Sequence, residues 1–416
     1  MSETEHEAAA GGTAGAGPTD GLRAGRRRLG VGMVGYAFMG AAHSQGWRTV
    51  GHVFDLPLGA RLAAVCGRDG AAVRAAADRL GWAAAETDWR ALIARDDVDV
   101  VDICTPGDSH AEIAIAALDA GKHVLCEKPL ANTVEEAEAM AAAAERAAAR
   151  GQVAMVGFNY RRVPALALAR RMVAEGRLGT LRHVRLTYLQ DWLVDPAFPL
   201  TWRLRKDRAG SGALGDLGAH IVDLAQFLTG EAVAGVSALT ETFVRERPLP
   251  EGSSTGITAA GTGADPGADP GADPGAGARA DGRSGASSGQ VTVDDAAVFT
   301  ARFPSGALAT FEATRFATGR KNAFTWEINA SNGSIAFGLV TVPVKVYTAT
   351  ESRSVHFREV HAKDGSRIEH RRIYGARRMT AEVRDRGHGW NRKRVARLMR
   401  LGSIEGVHRL RRSKYL

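Results

Sequence analysis

Cysteine is scarce in this chain: Cys66, Cys104 and Cys126 are all it has. The count is odd, the spacing is not that of metal ligands, and each lies in a short apolar run. A disulfide framework is therefore excluded, no metal site is expected, and the three read as reduced core thiols. Long apolar runs are also missing, since none approaches the roughly 20 residues of a membrane span. The opening MSETEHEAAAGGTAGAGPTDG lacks the basic start and apolar centre of a secretory signal. Residues 1–27 are expected to be a disordered tail, and the protein to be cytoplasmic. An excess of positive charge is absent from most of the chain. Residues 338–416 hold 20 Lys and Arg against 7 Asp and Glu, whereas the preceding residues hold 34 against 39. The net charge of +8 therefore belongs to the C-terminal stretch, and nucleic-acid binding can be expected only there.

The remaining sequence, in a chain that is 45% apolar, is enough for two domains of about 100 to 200 residues each. From Leu29 a strand-like run LGVGMVG leads into a helix from Met39. LAAVCG (62–67), VDVVDIC (98–104) and HVLCE (123–127) then alternate with helical stretches at 71–80, 109–120 and 133–150. Continuous apolar strands between amphipathic helices predict a doubly wound parallel sheet (Rossmann), here a dinucleotide-binding domain over 28–153. After AMVGFNYRR (154–162) come a helix at 164–175, the alternating strand LRHVRLTYLQDW (181–192), a helix from about 215 to 228, and strands GVSALTETFV and AAVFTARF. This pattern predicts a second, α+β domain over 154–337, the substrate domain, built on an open, mostly antiparallel sheet with one face covered. Between 248 and 290 the chain is nearly all Gly, Ala, Ser, Asp and Pro, with GADPGADPGADPGA at 263–276. Such a segment buries too little apolar surface to offset its ordering entropy, so a disordered surface loop is expected.

The first strand runs into GMVGYAFMG (32–40). Gly35, Ala37 and Gly40 take the small-residue positions of a G-x-G-x-x-G/A turn, with Phe38 and Met39 opening the helix, and such a turn lets backbone amides reach a pyrophosphate. The second strand ends in Cys66-Gly67-Arg68, without the acid that grips the ribose of NAD. Arg68 can pair with a 2′-phosphate or stack on adenine, which leans NAD(P) towards NADP; otherwise it is a solvated arginine, with Asp69 serving the ribose. CTPGDSH (104–110) and CEKP (126–129) end later strands at the carboxyl edge, which places Thr105, Pro106, His110, Glu127 and Lys128 beside a cofactor. In GSGALGDLGAHIVDLAQFLTG (210–230), Leu217, Ile221, Leu224 and Leu228 form a buried stripe. Asp216 and His220, four apart, share a face; alone, such a pair is more often structural than catalytic.

Together these residues resemble the Gfo/Idh/MocA oxidoreductases, over about residues 28–337, because GMVGYAFMG, EKP and GDLGAHIVD follow in that order. The resemblance implies a hydride transfer between a nicotinamide and a sugar, inositol or related polyol. It implies Lys128, Asp216 and His220 as the catalytic group, with His220 as general acid/base, Lys128 polarising the reacting oxygen and Asp216 positioning the hydroxyl. Asn159, Tyr160 and Arg161 match the stretch that enters the substrate pocket, and Asp223 is expected to orient His220. Pairing of copies through the open face of the second sheet is implied as well.

The resemblance ends at EINASNGSIAF. From Gly333 to about Arg372 the sequence resembles the opening strands of a bacterial Ku protein, giving a strand segment over 338–372, and GSIAF, common to both families, suggests a gene fusion. Residues 373–416 resemble the helix-turn-helix region of an insertion-sequence transposase, with helices expected at 378–386 and 391–400. Arg384, Arg386, Arg392, Lys393, Arg394 and Arg397 can make nonspecific, salt-sensitive contacts with DNA phosphates. Two readings follow: an oxidoreductase impaired by its replaced C-terminus, or a catalytically inactive fusion that only binds DNA.

Overall fold

The computed structural model describes residues 27–250 and 287–338 and, further on, the strands 342–348, 352–355, 360–361 and 367–368. The expected N-terminal tail up to residue 26, most of the expected loop (251–286), the basic residues from 373 and the helices expected at 378–386 and 391–400 lie outside the described residues.

Short apolar strands form the first sheet. β1 (Arg28–Val34), β2 (Gly59–Cys66), β3 (Ala84–Glu86), β4 (Val100–Ile103), β5 (His123–Cys126) and β6 (Ala154–Val156) pair in the order β3-β2-β1-β4-β5-β6, with every pairing parallel. Parallel strands need crossovers, here α1 (Phe38–Val53), α2 (Gly70–Leu80), α3 (Trp89–Ala94), α4 (His110–Asp119) and α5 (Val134–Ala148). Both faces are covered: Val31, Met33, Leu62 and Val65 pack with Val73, Ala77 and Leu80 of α2. On the other side Val34, Val101 and Ile103 pack with Ile113, Leu118, Met140 and Ala143 of α4 and α5. The strand order reverses between β1 and β4, so the crevice of a doubly wound sheet opens beyond Val34 and Ile103.

The second sheet follows α6 (Pro164–Ala174). β7 (Leu181–Leu189) lies at its centre, and a short helix α7 (Lys206–Ala209), a π-turn (Leu214–Gly218) and α8 (Ala219–Thr229) precede β8 (Gly235–Glu241). β9 (Glu246–Pro248) and β10 (Ser288–Gln290), which flank the expected loop, pair with each other. β11 (Ala296–Arg302), β12 (Leu308–Thr314), β13 (Ala323–Ala330), β14 (Gly333–Gly338), β15 (Val342–Thr348) and β16 (Ser352–Val355) complete an eight-stranded sheet ordered β16-β15-β14-β13-β7-β12-β11-β8. Only β7 and β12 pair in parallel. Period-two alternation sends Val184, Leu186, Phe299, Phe311, Trp326 and Ile328 inward against Leu166, Ile221 and Leu224. The opposite face carries the exposed Leu239 and Val298.

The stripe Leu217, Ile221, Leu224 and Leu228 is buried to 3% exposure or less, each side chain contributing roughly 1.5–3 kcal/mol by leaving water. The helix expected from 215 differs at its start. Asp216 lies on the π-turn and His220 on the α-helix that continues it, an irregularity of a kind often found at functional sites.

Candidate active site

The turn after β1 has the shape its small residues require. Gly35 has φ +97°, and a Cβ on Gly40 would stand 2.2 Å from the Gly35 carbonyl oxygen. Ala37 is the N-cap of α1, so no side chain satisfies the first amides, and the first turn carries no acid. Orphan N–H groups at the positive end of a helix dipole suit an anion, and these residues therefore fit a dinucleotide pyrophosphate. Phe38 is 61% exposed on the first turn, and Met39 beside it is half-buried. At the end of β2, Arg68 is exposed, whereas one Asp69 oxygen accepts the Ala71 and Ala72 amides at 2.9 Å and so caps α2.

The ends of β4 and β5 are tied together by His110. It is 1% exposed, with Nδ1 2.9 Å from the Pro129 oxygen and Nε2 2.9 Å from the Thr105 oxygen. Expected among the cofactor contacts, His110 instead spends both ring nitrogens on carbonyls, as a buried polar group must find partners. Thr105 Oγ1 accepts from Ser109 Oγ at 2.7 Å, and Pro106 precedes the short 3₁₀ turn Gly107–Ser109. Cys66 and Cys126 are buried thiols as expected. Cys104 differs: it is half-buried just past β4, its sulfur 3.4 Å from His43 Nδ1.

Lys128 and Asp216, 88 residues apart, meet. Lys128 Nζ donates to the Asp216 main-chain oxygen at 2.9 Å and to its carboxylate at 3.1 Å. Burial alone would raise the Asp216 pKa, but the charges of Lys128, Arg315 and Arg203 outweigh it and hold the carboxyl down at about 2. His220, on the next turn, is 9% exposed. Its ring lies 4.9 Å from that of Tyr160 and 6.0 Å from that of Tyr188, and its Nδ1 has no hydrogen-bond partner. Burial, then the nearby Lys128 charge, lower its pKa to about 3 against the pull of Asp216. The imidazole is thus neutral near neutrality, and a carboxylate, an ammonium and an unspent ring nitrogen lie together.

The expected substrate stretch divides. Tyr160 faces His220, and its hydroxyl is 2.8 Å from that of Tyr188. Asn159 is exposed on the 3₁₀ turn Asn159–Arg162. Arg161 and Asp223, expected respectively at the substrate and behind His220, pair with each other instead: Arg161 Nε donates to the carboxylate at 2.9 Å, and its Nη2 also bonds it. Asp223 is 7% exposed, and a buried carboxylate requires a counter-charge; the expectation that it orients His220 is corrected accordingly. Sequence reasoning missed Arg203 and Arg315, whose charges act on Asp216, and Tyr188 and His43. Each comes from an element remote in sequence, and the only signal available was that Tyr188 falls on the inward phase of β7.

Comparison with known proteins finds relatives over most of the chain. Residues 29–158 match the family described as oxidoreductase family, NAD-binding Rossmann fold, residues 166–336 match the GFO/IDH/MocA C-terminal domain, and residues 360–412 match an HTH-like domain. Levoglucosan dehydrogenase of Pseudarthrobacter phenanthrenivorans is 43% identical over 315 residues, covering 75% of this chain and 74% of that protein. A crystal structure of an oxidoreductase domain protein from Kribbella flavida superposes with a TM-score of 0.68 at 58% identity, over 83% of this chain and 80% of that one. A levoglucosan dehydrogenase in complex with NADH gives 0.68 at 39% identity, over 79% and 80%.

Proposed function

The chain belongs to the GFO/IDH/MocA oxidoreductases, and from that premise we propose that it transfers a hydride between a nicotinamide dinucleotide and a secondary alcohol of a sugar, inositol or related polyol. Its class is that of dehydrogenases acting on CH–OH groups. Similarity to a levoglucosan dehydrogenase supports a neutral sugar as the substrate.

Gly35, Ala37, Phe38, Met39 and Gly40 would hold the pyrophosphate, with Thr105, Pro106 and Glu127 bordering the nicotinamide end. When bound, the nicotinamide supplies the acceptor for the hydride. The ammonium of Lys128 polarises the substrate oxygen. His220, neutral at working pH, takes the hydroxyl proton during oxidation and returns it during reduction. Asp216, held ionised, fixes the Lys128 ammonium in place and accepts a hydrogen bond from the substrate. Tyr160 and Asn159 flank the substrate, while Arg161 and Asp223 brace α8 behind it. The observation carrying this reading is the Lys128–Asp216 contact with the His220 ring, its Nδ1 unpartnered, one turn away.

NAD is supported by the NADH complex of the relative; Arg68, exposed where a 2′-phosphate would lie, is what would admit NADP. The HTH-like match over 360–412 supports a gene fusion that replaced the family's C-terminus, and β15 fills the rim so created. Nonspecific DNA contact by the basic stretch rests on its charge alone. The exposed Leu239, Val298 and Leu308 on the outer face of the second sheet support pairing with a second copy.

The test is turnover of NAD and NADP with levoglucosan, myo-inositol and aldoses by the purified full chain. Activity lost in His220→Ala, with dinucleotide binding retained, is the expected result. A wild-type protein that binds the dinucleotide yet oxidises none of these, or a fully active His220→Ala, overturns the proposal.

A further inference from the structure

A buried polar cluster lies beneath the Glu127-Lys128-Pro129 turn, outside the residues to which a catalytic role has been given. His43, on α1, has Nδ1 3.0 Å from both Asp102 oxygens and Nε2 3.1 Å from Glu127 Oε1. Asp102 is 0% exposed and also accepts Trp47 Nε1–H at 2.6 Å. Glu127, 6% exposed, uses its other oxygen to accept the main-chain N–H of Lys128 at 3.1 Å. A Cβ on Gly157 would stand 2.9 Å from Glu127 Oε1, so this carboxylate has little room to turn. The chain of contacts therefore runs from Asp102 through His43 and Glu127 to the backbone of Lys128, whose ammonium reaches Asp216.

Carboxylates only accept, so a ring placed between two of them must donate from both nitrogens. The ionisable groups bonded to it are Asp102 and Cys104 from the β4 end and Glu127 from the β5 end. Burial opposes a charge here, but these hydrogen bonds and the Asp102 charge outweigh it and push the His43 pKa up to about 12. The Nδ1, Asp102 oxygen and Cys104 sulfur lie within 4.8 Å of one another, a spacing a cation could also use, yet the direct hydrogen bonds already satisfy them.

We propose that His43 is a positioning residue for the hydride transfer: a doubly donating imidazolium that clamps Glu127 and, through it, fixes the main chain of Lys128. The proposal rests on the oxidoreductase reading for its consequence, but the clamp itself is a property of the chain alone. Without the ring, Glu127 and Asp102 become two buried carboxylates lacking a shared donor. Glu127 then shifts into the space the ring leaves, the Lys128 amide loses its acceptor, and a misplacement of about 1 Å at the reacting groups costs about 10²-fold in rate.

Cofactor-free protein labelled with ¹⁵N in histidine should show an imidazole, assigned to His43 by comparison with His43→Gln, protonated on both nitrogens at about pH 7 and still so at about pH 9, far above the ordinary histidine pKa. That signal should vanish in His43→Gln. Hydrogen exchange of the Lys128 amide should rise about tenfold in His43→Gln beyond any rise at the amides of β1 and β2, which report the loss of overall stability. In turnover, His43→Gln and Glu127→Gln should each lower kcat about 10²-fold with KM nearly unchanged, and the double variant should be no worse than either. A neutral His43 ring, a metal-bound one that chelator releases, or an unchanged Lys128 amide overturns the clamp, whether or not the wild type turns over. An active wild type whose His43→Gln variant keeps full kcat, or whose double variant multiplies the two losses, overturns the positioning role and leaves the oxidoreductase reading standing. A wild type that binds NADH but oxidises no sugar overturns that reading alone.

Discussion

Lys128 Nζ sits 2.9 Å from the main-chain oxygen of Asp216 and 3.1 Å from its carboxylate, joining the end of the parallel sheet to the helix that lines the mixed one. One residue comes from the turn after β5, the other from the π-turn before α8. The contact sets cation and carboxylate side by side, the arrangement on which the proposed alcohol chemistry depends.

Lys128→Met should therefore lower kcat about 10²- to 10³-fold, the usual contribution of one group that stabilises charge developing on a substrate oxygen. Dinucleotide affinity should change much less. Steady-state kinetics combined with NADH fluorescence titration separates the two effects, and equal losses in both would point to a disrupted cofactor site.

The depressed pKa of His220 has a definite sign. The unfolded chain takes up a proton near the ordinary histidine value of about 6.5, whereas the folded site resists it until about 3. The stability associated with the neutral ring is complete above the unfolded pKa and declines as pH falls from about 6.5 towards 3. Asp216, also depressed, adds a loss between its ordinary 3.8 and about 2. Melting temperature against pH should show the first slope in the wild type and lack much of it in His220→Phe. In the free enzyme, kcat/KM should show no fall attributable to His220 between about pH 7 and 5.

Arg68→Ala tests the dinucleotide preference. If Arg68 receives a 2′-phosphate, the variant should lose about tenfold or more in affinity for NADP(H), about the value of one charge-assisted hydrogen bond, while NAD(H) stays within about twofold. Equal effects on both cofactors would assign the guanidinium to the adenine ring or to solvent.

Arg161→Ala removes the counter-charge of a 7% exposed carboxylate. Breaking a buried pair costs about 3–5 kcal/mol, but the Arg161 side chain is 44% exposed, and solvent screening brings the expected loss to about 1–2 kcal/mol. Denaturant unfolding measures it. An Arg161→Ala/Asp223→Asn double variant should recover part of the loss, because the stranded charge is then gone.

Much of this was legible in the sequence, and unevenly so. The parallel sheet declared itself because its strands are continuous apolar runs, and the α8 stripe because Leu217, Ile221, Leu224 and Leu228 repeat at helical spacing. β3 and α3 leave no such mark: three half-buried residues and a six-residue helix carry too little periodicity. The π-turn beneath Asp216 is hidden for a different reason: it occupies Leu214–Gly218, at the head of the stripe, so that Ile221, Leu224 and Leu228 all lie beyond it. The Lys128–Asp216 contact was readable only through the family resemblance. His43, Arg203 and Arg315 were not readable at all, because electrostatic partners drawn from distant elements leave no local pattern. Likewise nothing local told Arg161 to turn to Asp223 instead of the substrate.

The antiparallel pairing of β15 with β14 has a consequence of its own. A ladder of amides and carbonyls recognises extension and spacing, not identity, so the border of a sheet takes whatever extended segment the chain next provides. An open border invites aggregation; one filled by a neighbouring stretch of the same polypeptide is protected at once and in the correct register. In this chain β15 and β16 extend the sheet beyond β14, and a chain cut back to residue 338 should reveal the rim at β14 as loss of solubility well before any loss of chemistry.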